Sequence, residues 1–173
     1  WPALAGDFIF DDYPNIVTNT RVHAEQLDLA SIKRAAAAYD PGSYGRPLAT
    51  ISFAIDYAFG GKDPWGYKLS SLLVHLVNAL LVFLLLRRLL AFDPRASMSG
   101  VATCFAIALA WAAHPLQVSA VMYVVQRMET LSLTFVLLAL LAYLRGRSAQ
   151  IAGLRGWPWL LACLPLVALG LLS

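Results

Sequence analysis

Long apolar runs dominate the chain, separated by short charged or turn-forming stretches. Tyr67–Leu90 has an unbroken apolar core from Ala79 to Leu86, and Val118–Leu144 is cleanest from Leu131 to Leu144. Both exceed the roughly 20 residues that a helix needs to cross about 30 Å of hydrocarbon. Met98–Ala113 is shorter and is expected to end in protein or at a thinned interface, while Trp157–Leu172 begins a fourth run. The pattern predicts an all-α, polytopic membrane protein with helices over 67–90, 98–113, 118–144 and 157–173.

Residues 1–66 read differently. Trp1–Phe10 is expected to be the tail of a preceding membrane helix, and Asp11-Asp12-Tyr13-Pro14-Asn15 is an acidic turn. Leu27–Tyr39 reads as a helix, helped by the Ala35–Ala38 run. The stretch from Asp40 to Pro47 is dense in turn formers. Leu48–Phe59 is apolar but too short to span, so it is expected to lie along the membrane surface before Gly60-Gly61 ends it. The domain reading is an extracytoplasmic loop over 1–66, with an acidic motif and interfacial helices, followed by transmembrane helices over 67–173. The whole reads as an internal piece of a longer membrane protein.

Composition sharpens this picture. Of 173 residues, 60% are apolar and 13% charged, against about 45–50% and 25% in a soluble domain. Too few polar side chains remain to coat a water-facing globule, which excludes a soluble domain, a disordered tail and a disulfide-stapled module. Cys104 and Cys163 sit in apolar stretches without metal-ligand neighbours and read as small core residues.

Charge divides the chain. Residues 1–66 hold eight acids and five bases, and residues 67–173 hold two acids and eight bases, giving −3 and +6 for a total of +3. The later bases lie between apolar runs rather than on one patch, so nucleic acid is not an expected partner. Arg87, Arg88 and Arg95 follow the first run, and Arg145, Arg147 and Arg155 follow the third. The connection at His114-Pro115 has no Lys or Arg before Arg127. Positive-inside bias then places residues 1–66 and the His114 turn together on the outer face.

Polar residues inside the runs carry the candidate chemistry. Lys68, Ser71, His75 and Asn78, spaced +3, +4, +3, share one helix face. Ser119, Tyr123, Arg127, Thr130 and Thr134 form a second stripe, flanked by Gln126 and Glu129. Such stripes face a protein interior or a wet cavity, because an ionised group at mid-bilayer costs about 2.5–3.5 kcal/mol. For His75 and Asn78, hydrogen bonding to a neighbouring helix is an equal alternative. Arg127 has the alternative of snorkelling to the interface, and His114-Pro115 of simply ending a helix. If the groups converge, a carboxylate can serve as general base and an Arg can grip a phosphate through its planar fork.

Four blocks carry a family resemblance. They are Phe10-Asp11-Asp12-Tyr13-Pro14-Asn15-Ile16-Val17-Thr18-Asn19 with Gly45-Arg46-Pro47-Leu48, then Ser52–Gly61 with Asp63–Tyr67. Leu73–Leu80 follows, and then His114-Pro115-Leu116-Gln117 with Tyr123–Glu129. In this order they resemble bacterial relatives of the transmembrane and tetratricopeptide-repeat O-mannosyltransferases.

The resemblance implies a partial GT-C-type membrane glycosyltransferase fold. It also implies a polyprenyl-phosphate sugar, of mannose type, as donor substrate, a protein hydroxyl as acceptor and membrane lipid as surroundings. It leaves a divalent metal open. Asp11 and Asp12 match the family's catalytic acidic pair, with Asp11 as base and Asp12 positioning a substrate. Arg127 is the candidate for the donor phosphate on chemical grounds, while Arg46, His114, Gln117, Gln126 and Glu129 are expected to line the site. Lys68, His75, Asn78 and Tyr123 are the polar stripe residues expected near it. Ser119 and Lys68 depart from the family pattern, which has Glu and His there. The implied location is a bacterial inner membrane with residues 1–66 in the periplasm. The competing readings are a non-catalytic membrane subunit, a transporter fragment, or a polymerase or ligase of lipid-linked glycans.

Overall fold

The computed structural model describes residues 2–39, 45–92 and 99–173. Most of the turn expected over 40–47 lies outside the described residues, as does Arg95. The described chain is all-α. Its helices are α1 Leu29–Ala36, α2 Pro47–Gly60, α3 Pro64–Leu90, α4 Ser99–Ala112, α5 Gln117–Met122, α6 Arg127–Ile151 and α7 Trp157–Leu171. Single turns of tighter or wider helix occupy Pro2–Ala5, Tyr13–Val17, Thr20–Val22 and Val124–Gln126.

Two helices are long and apolar enough to cross a membrane. The 27 residues of α3 reach about 40 Å and the 25 of α6 about 37 Å. Only 22% of the most apolar stretch of α3 is buried, and Leu73, Leu76, Val77 and Leu80 stand exposed along it. The core helix of a water-soluble protein would cover those side chains, whereas a helix in lipid has no need to. The helices α4 and α7 have 14 and 15 residues, about 21–23 Å of rise, short of the hydrocarbon thickness.

Local chemistry sets the helix starts. Asp63 caps α3 by accepting the Trp65 N–H at 3.0 Å, with Pro64 in the first turn, where its missing donor costs nothing. Asp28 and Ser31 form a reciprocal capping box on α1. The two Ser31 hydrogen bonds hold the Asp28 carboxyl below its ordinary range.

The bundle is built on α3, which packs against α4 and α6, with α7 lying along α6. At the far end of α6 the chain turns so closely that a Cβ on Gly156 would sit 2.1 Å from the Gly146 carbonyl oxygen. That approach requires glycine. Arg145 lies 4.5 Å above the Trp159 ring at the same end, where Arg87 and Arg88 also close α3.

The segment before α3 packs onto the opposite end. Phe8, Ile16, Val22, Ala38, Ala49, Phe53 and Tyr67 share one buried core with Val124 and Met128. The Leu48 N–H reaches the Leu172 carbonyl, which brings the end of α7 to the same face. The described part of the first stretch, residues 2–10, is not an α-helix. It runs as one 3₁₀ turn over Pro2–Ala5 and then irregular chain, held by Lys68, whose Nζ donates to the Gly6 and Asp7 carbonyls at 2.7 and 3.1 Å.

The run 118–144 is not one helix either. At Tyr123 the backbone is extended, and one 3₁₀ turn intervenes before α6. In a continuous helix the Val125 N–H would bond the Val121 carbonyl. Here it donates to Asp12 Oδ1 at 2.7 Å, a charge-assisted bond to a distant segment that outweighs local periodicity.

The α3 stripe lies within helix contacts. The Asn78 amide donates to the Thr130 carbonyl at 2.8 Å and accepts from the Thr134 hydroxyl at 2.7 Å. His75 Nε2 lies 3.0 Å from the Ala112 carbonyl and its ring stacks on Trp111. For these two residues the helix-to-helix reading holds. Asn78→Ala is expected to weaken the α3–α6 contact by about 1–2 kcal/mol, the scale of such bonds in lipid. Detergent-denaturation midpoints for the two proteins check this, and equal midpoints would refute it.

Candidate functional site

The two aspartates of the acidic turn have opposite environments. Asp12 is fully buried, and its carboxylate accepts the Val125 N–H at 2.7 Å and the Ile9 N–H at 3.2 Å. Asp11 is exposed, and its backbone N–H donates to the Tyr123 hydroxyl at 3.0 Å. Phe10, immediately before, adopts φ +43°, a left-handed conformation uncommon for a bulky residue. Its ring meets Tyr123 edge to face at 6.5 Å. The acidic turn is therefore pinned by its backbone and by one carboxylate, while the other carboxylate is exposed beside the Tyr123 hydroxyl.

Burial pushes the Asp12 carboxyl above its ordinary 3.8, against the smaller opposing effects of the Val125 and Ile9 N–H groups and of Lys68. The sign of the linkage follows. The folded state holds this proton more tightly than the unfolded state, so the contribution is full below 3.8 and is lost as pH rises through the folded value. The stability gap between the parent and Asp12→Asn is expected to narrow with rising pH across that window and then level off. Thermal unfolding at several pH values tests this, and a gap that widens with pH would contradict it.

The segment from Tyr123 to Glu129 makes a contact at every second residue. Tyr123 takes the Asp11 N–H and Val125 gives its own to Asp12. Arg127 pairs with Asp56, and Glu129 accepts from Arg46 Nη1 at 2.6 Å. The Arg46–Glu129 pair is open to solvent, with side-chain exposures of 34% and 62%, and the Arg46 guanidinium lies 5.9 Å from the Tyr39 ring centroid.

Arg127 corrects the sequence reading. It is 1% exposed, and neither snorkels nor presents a donor to solvent. Its guanidinium donates to Asp56, to the Tyr67 carbonyl, and to the Ser71 and Ser52 hydroxyls at 3.2 Å each. It also lies over the Phe53 ring. A guanidinium so committed has no free fork for a phosphate, whereas the guanidinium of Arg46 is partly open to solvent.

His114 is exposed in the turn between α4 and α5, where its Nδ1 accepts the Leu116 N–H at 3.2 Å and its carbonyl accepts the Gln117 N–H at 2.8 Å. These bonds lead into α5, and α4 ends two residues before His114, at Ala112. Gln117 and Gln126 are half-buried, in α5 and in the 3₁₀ turn before α6. Ser119 uses its hydroxyl on the Leu116 carbonyl within α5. Thus Asp11 is in direct contact with Tyr123 and Arg46 with Glu129, while Asp12 bonds Val125 and Ile9. Lys68, His75, Asn78 and Arg127 tie elements together.

Asp56 was missed. Its carboxylate accepts from Ser70 at 2.7 Å as well as from Arg127. The available signal was the spacing of Ser52 and Asp56, four apart on an otherwise apolar helix. Among the described residues no group of three or more His, Cys, Asp or Glu is placed to hold a metal ion.

Fold and site together define a class: an all-α chain with two helices able to cross a membrane and an acidic turn anchored over one end of the bundle. Its homologues are protein O-mannosyl-transferases. Protein O-mannosyl-transferase Tmtc2 of Drosophila melanogaster is 35% identical over 177 residues, covering 98% of this chain and 18% of that protein. Protein O-mannosyl-transferase tmtc2 of Xenopus laevis is 38% identical over 116 residues, 67% of this chain and 13% of the relative. Protein O-mannosyl-transferase Tmtc1 of Drosophila melanogaster is 36% identical over 149 residues, 83% and 16% respectively. The chain therefore spans less than a fifth of the length of these relatives. They are animal proteins and lend no support to a bacterial source. No known family profile matches the chain. No solved structure matches it.

Proposed function

We propose that this chain is the part of a membrane glycosyltransferase that carries the general base for transfer of mannose to a protein hydroxyl. Asp11 is the base and Asp12 the residue that positions it. The donor is a polyprenyl-phosphate sugar, and residues 1–66 lie on the extracytoplasmic side. In the step, the acceptor hydroxyl gives its proton to the Asp11 carboxylate as its oxygen bonds the sugar anomeric carbon. The bond from that carbon to the phosphate oxygen breaks, and the lipid phosphate leaves with the electron pair. Arg46 is the candidate for the leaving phosphate, with Glu129 as its partner when the site is empty.

The observation that supports this reading most is the division between the adjacent carboxylates. One is buried on two backbone N–H groups and the other is solvent-open on a backbone pinned at Tyr123. A general base must be fixed in place yet free to meet an incoming proton. The names of the homologues support the reaction class.

The test uses the full-length protein in vesicles with polyprenyl-phosphate mannose and an acceptor polypeptide. A hexose mass on a Ser or Thr is expected, and its disappearance in Asp11→Asn. Product found on lipid instead of protein would favour a lipid-glycan polymerase or ligase. Unchanged glycan transfer in Asp11→Asn would favour a non-catalytic subunit.

A further inference from the structure

The proposed base stands on a backbone that is held from the other side of the fold. Asp11 is pinned by Tyr123 and Asp12 by Val125, and both of these precede Arg127 by no more than four residues. Arg127 is the first residue of α6 and closes the 3₁₀ turn Val124–Gln126. What fixes Arg127 is a polar cluster beneath the acidic turn. Asp56 of α2 pairs with it, Ser70 of α3 orients the Asp56 carboxylate at 2.7 Å, and Ser52, Ser71 and the Tyr67 carbonyl take further guanidinium donors.

We infer that Asp56 is a positioning residue for the transfer reaction: through Arg127 it sets the Tyr123–Val125 segment that holds Asp11 and Asp12. The inference rests on the proposed role of Asp11. Asp56 itself is 10% exposed at its side chain, and both of its carboxylate oxygens are taken, one by Ser70 and one by Arg127, which assigns it to positioning and not to contact with substrate. A buried cation accepts few geometries, because its donors lose more than they gain by moving off a charged partner. With the Asp56 carboxylate in place, the start of α6 has one register. Without its charge, Arg127 seeks other acceptors and the 3₁₀ turn ahead of it moves. A shift of about 1 Å at the base is enough to reduce turnover by about 100-fold.

The experiment compares full-length parent, Asp56→Asn and Asp12→Asn with the double variant. Asp56→Asn is expected to lower kcat by about 10- to 100-fold with acceptor KM nearly unchanged. The double variant should lose little more than the worse single variant, because both act on one clasp. Amide exchange supplies a readout independent of activity: protection over 8–13 and 123–127 should fall in Asp56→Asn while the interior of α3 and α6 stays protected. If Asp56→Asn does not accumulate, Ser70→Ala removes one bond to the same carboxylate and should show the same pattern at smaller amplitude. Additive losses, a KM effect alone, or unchanged protection at 8–13 would overturn the inference. Lost protection in a protein whose Asp11→Asn variant still transfers sugar would leave the clasp standing and remove the role assigned to Asp11.

Discussion

Asp11→Asn in the full-length protein is expected to reduce mannosyl transfer by about 10²–10⁴-fold, the usual contribution of a positioned general base. Folding should be untouched. The side chain is exposed, and the contact that pins this residue, from its backbone N–H to the Tyr123 hydroxyl, survives the substitution. Asp12→Asn should behave differently. Its two carboxylate oxygens each accept a backbone N–H, and an amide offers one oxygen and one NH₂ in their place. One N–H then meets another donor, at a cost of about 1–3 kcal/mol, and the acidic turn loosens. The two variants are distinguished by measuring transfer and thermal unfolding on the same preparations. Asp11→Asn should lose transfer with its melting temperature kept, and Asp12→Asn should lose part of both. Equal destabilisation by the two would refute the division between them.

Much of the fold was legible because hydropathy reports burial in lipid directly. The runs at 67–90 and 157–172 correspond to α3 and α7 within a few residues, and the short apolar stretch 48–59 to α2. The break at Tyr123 was not legible. Its cause is an acceptor 113 positions away, Asp12, and a periodicity window contains no such information. For the same reason the +4 spacing of Ser119, Tyr123 and Arg127 described a helix face that does not form. Arg127 shows a further limit. Sequence gives the cost of a charge in an apolar run but not how it is met, and ligand, solvent and internal partner all answer it equally well. The internal partner was Asp56, on a helix whose apolar character drew attention away from its one carboxylate. The acidic pair itself was legible by resemblance alone, since two adjacent aspartates in a turn are commonplace. What separates the two side chains is burial, which depends on Val124 and Val125 arriving from beyond α5.

Arg127→Leu is the substitution expected to cost the most stability. It removes the partner of Asp56 and leaves a carboxylate of low exposure facing Ser70 and an apolar junction. Breaking one side of a buried pair costs about 3–5 kcal/mol, most of it the burden of the uncompensated charge, and that is a large share of any domain's net stability. Low accumulation and early unfolding in detergent are therefore expected, with loss of transfer as a consequence. The companion variant Asp56→Asn/Arg127→Gln removes both charges while keeping polar groups that can bond each other and the surrounding hydroxyls. It should recover a substantial part of the stability lost by Arg127→Leu without recovering transfer. The phosphate role suggested by the sequence makes the opposite forecast. An Arg that served the donor would be dispensable for folding, so Arg127→Leu would fold normally and only raise the KM for the lipid-linked sugar. Unfolding midpoints and donor titrations on the three proteins decide between a cation that binds substrate and a cation that holds the acidic turn in place.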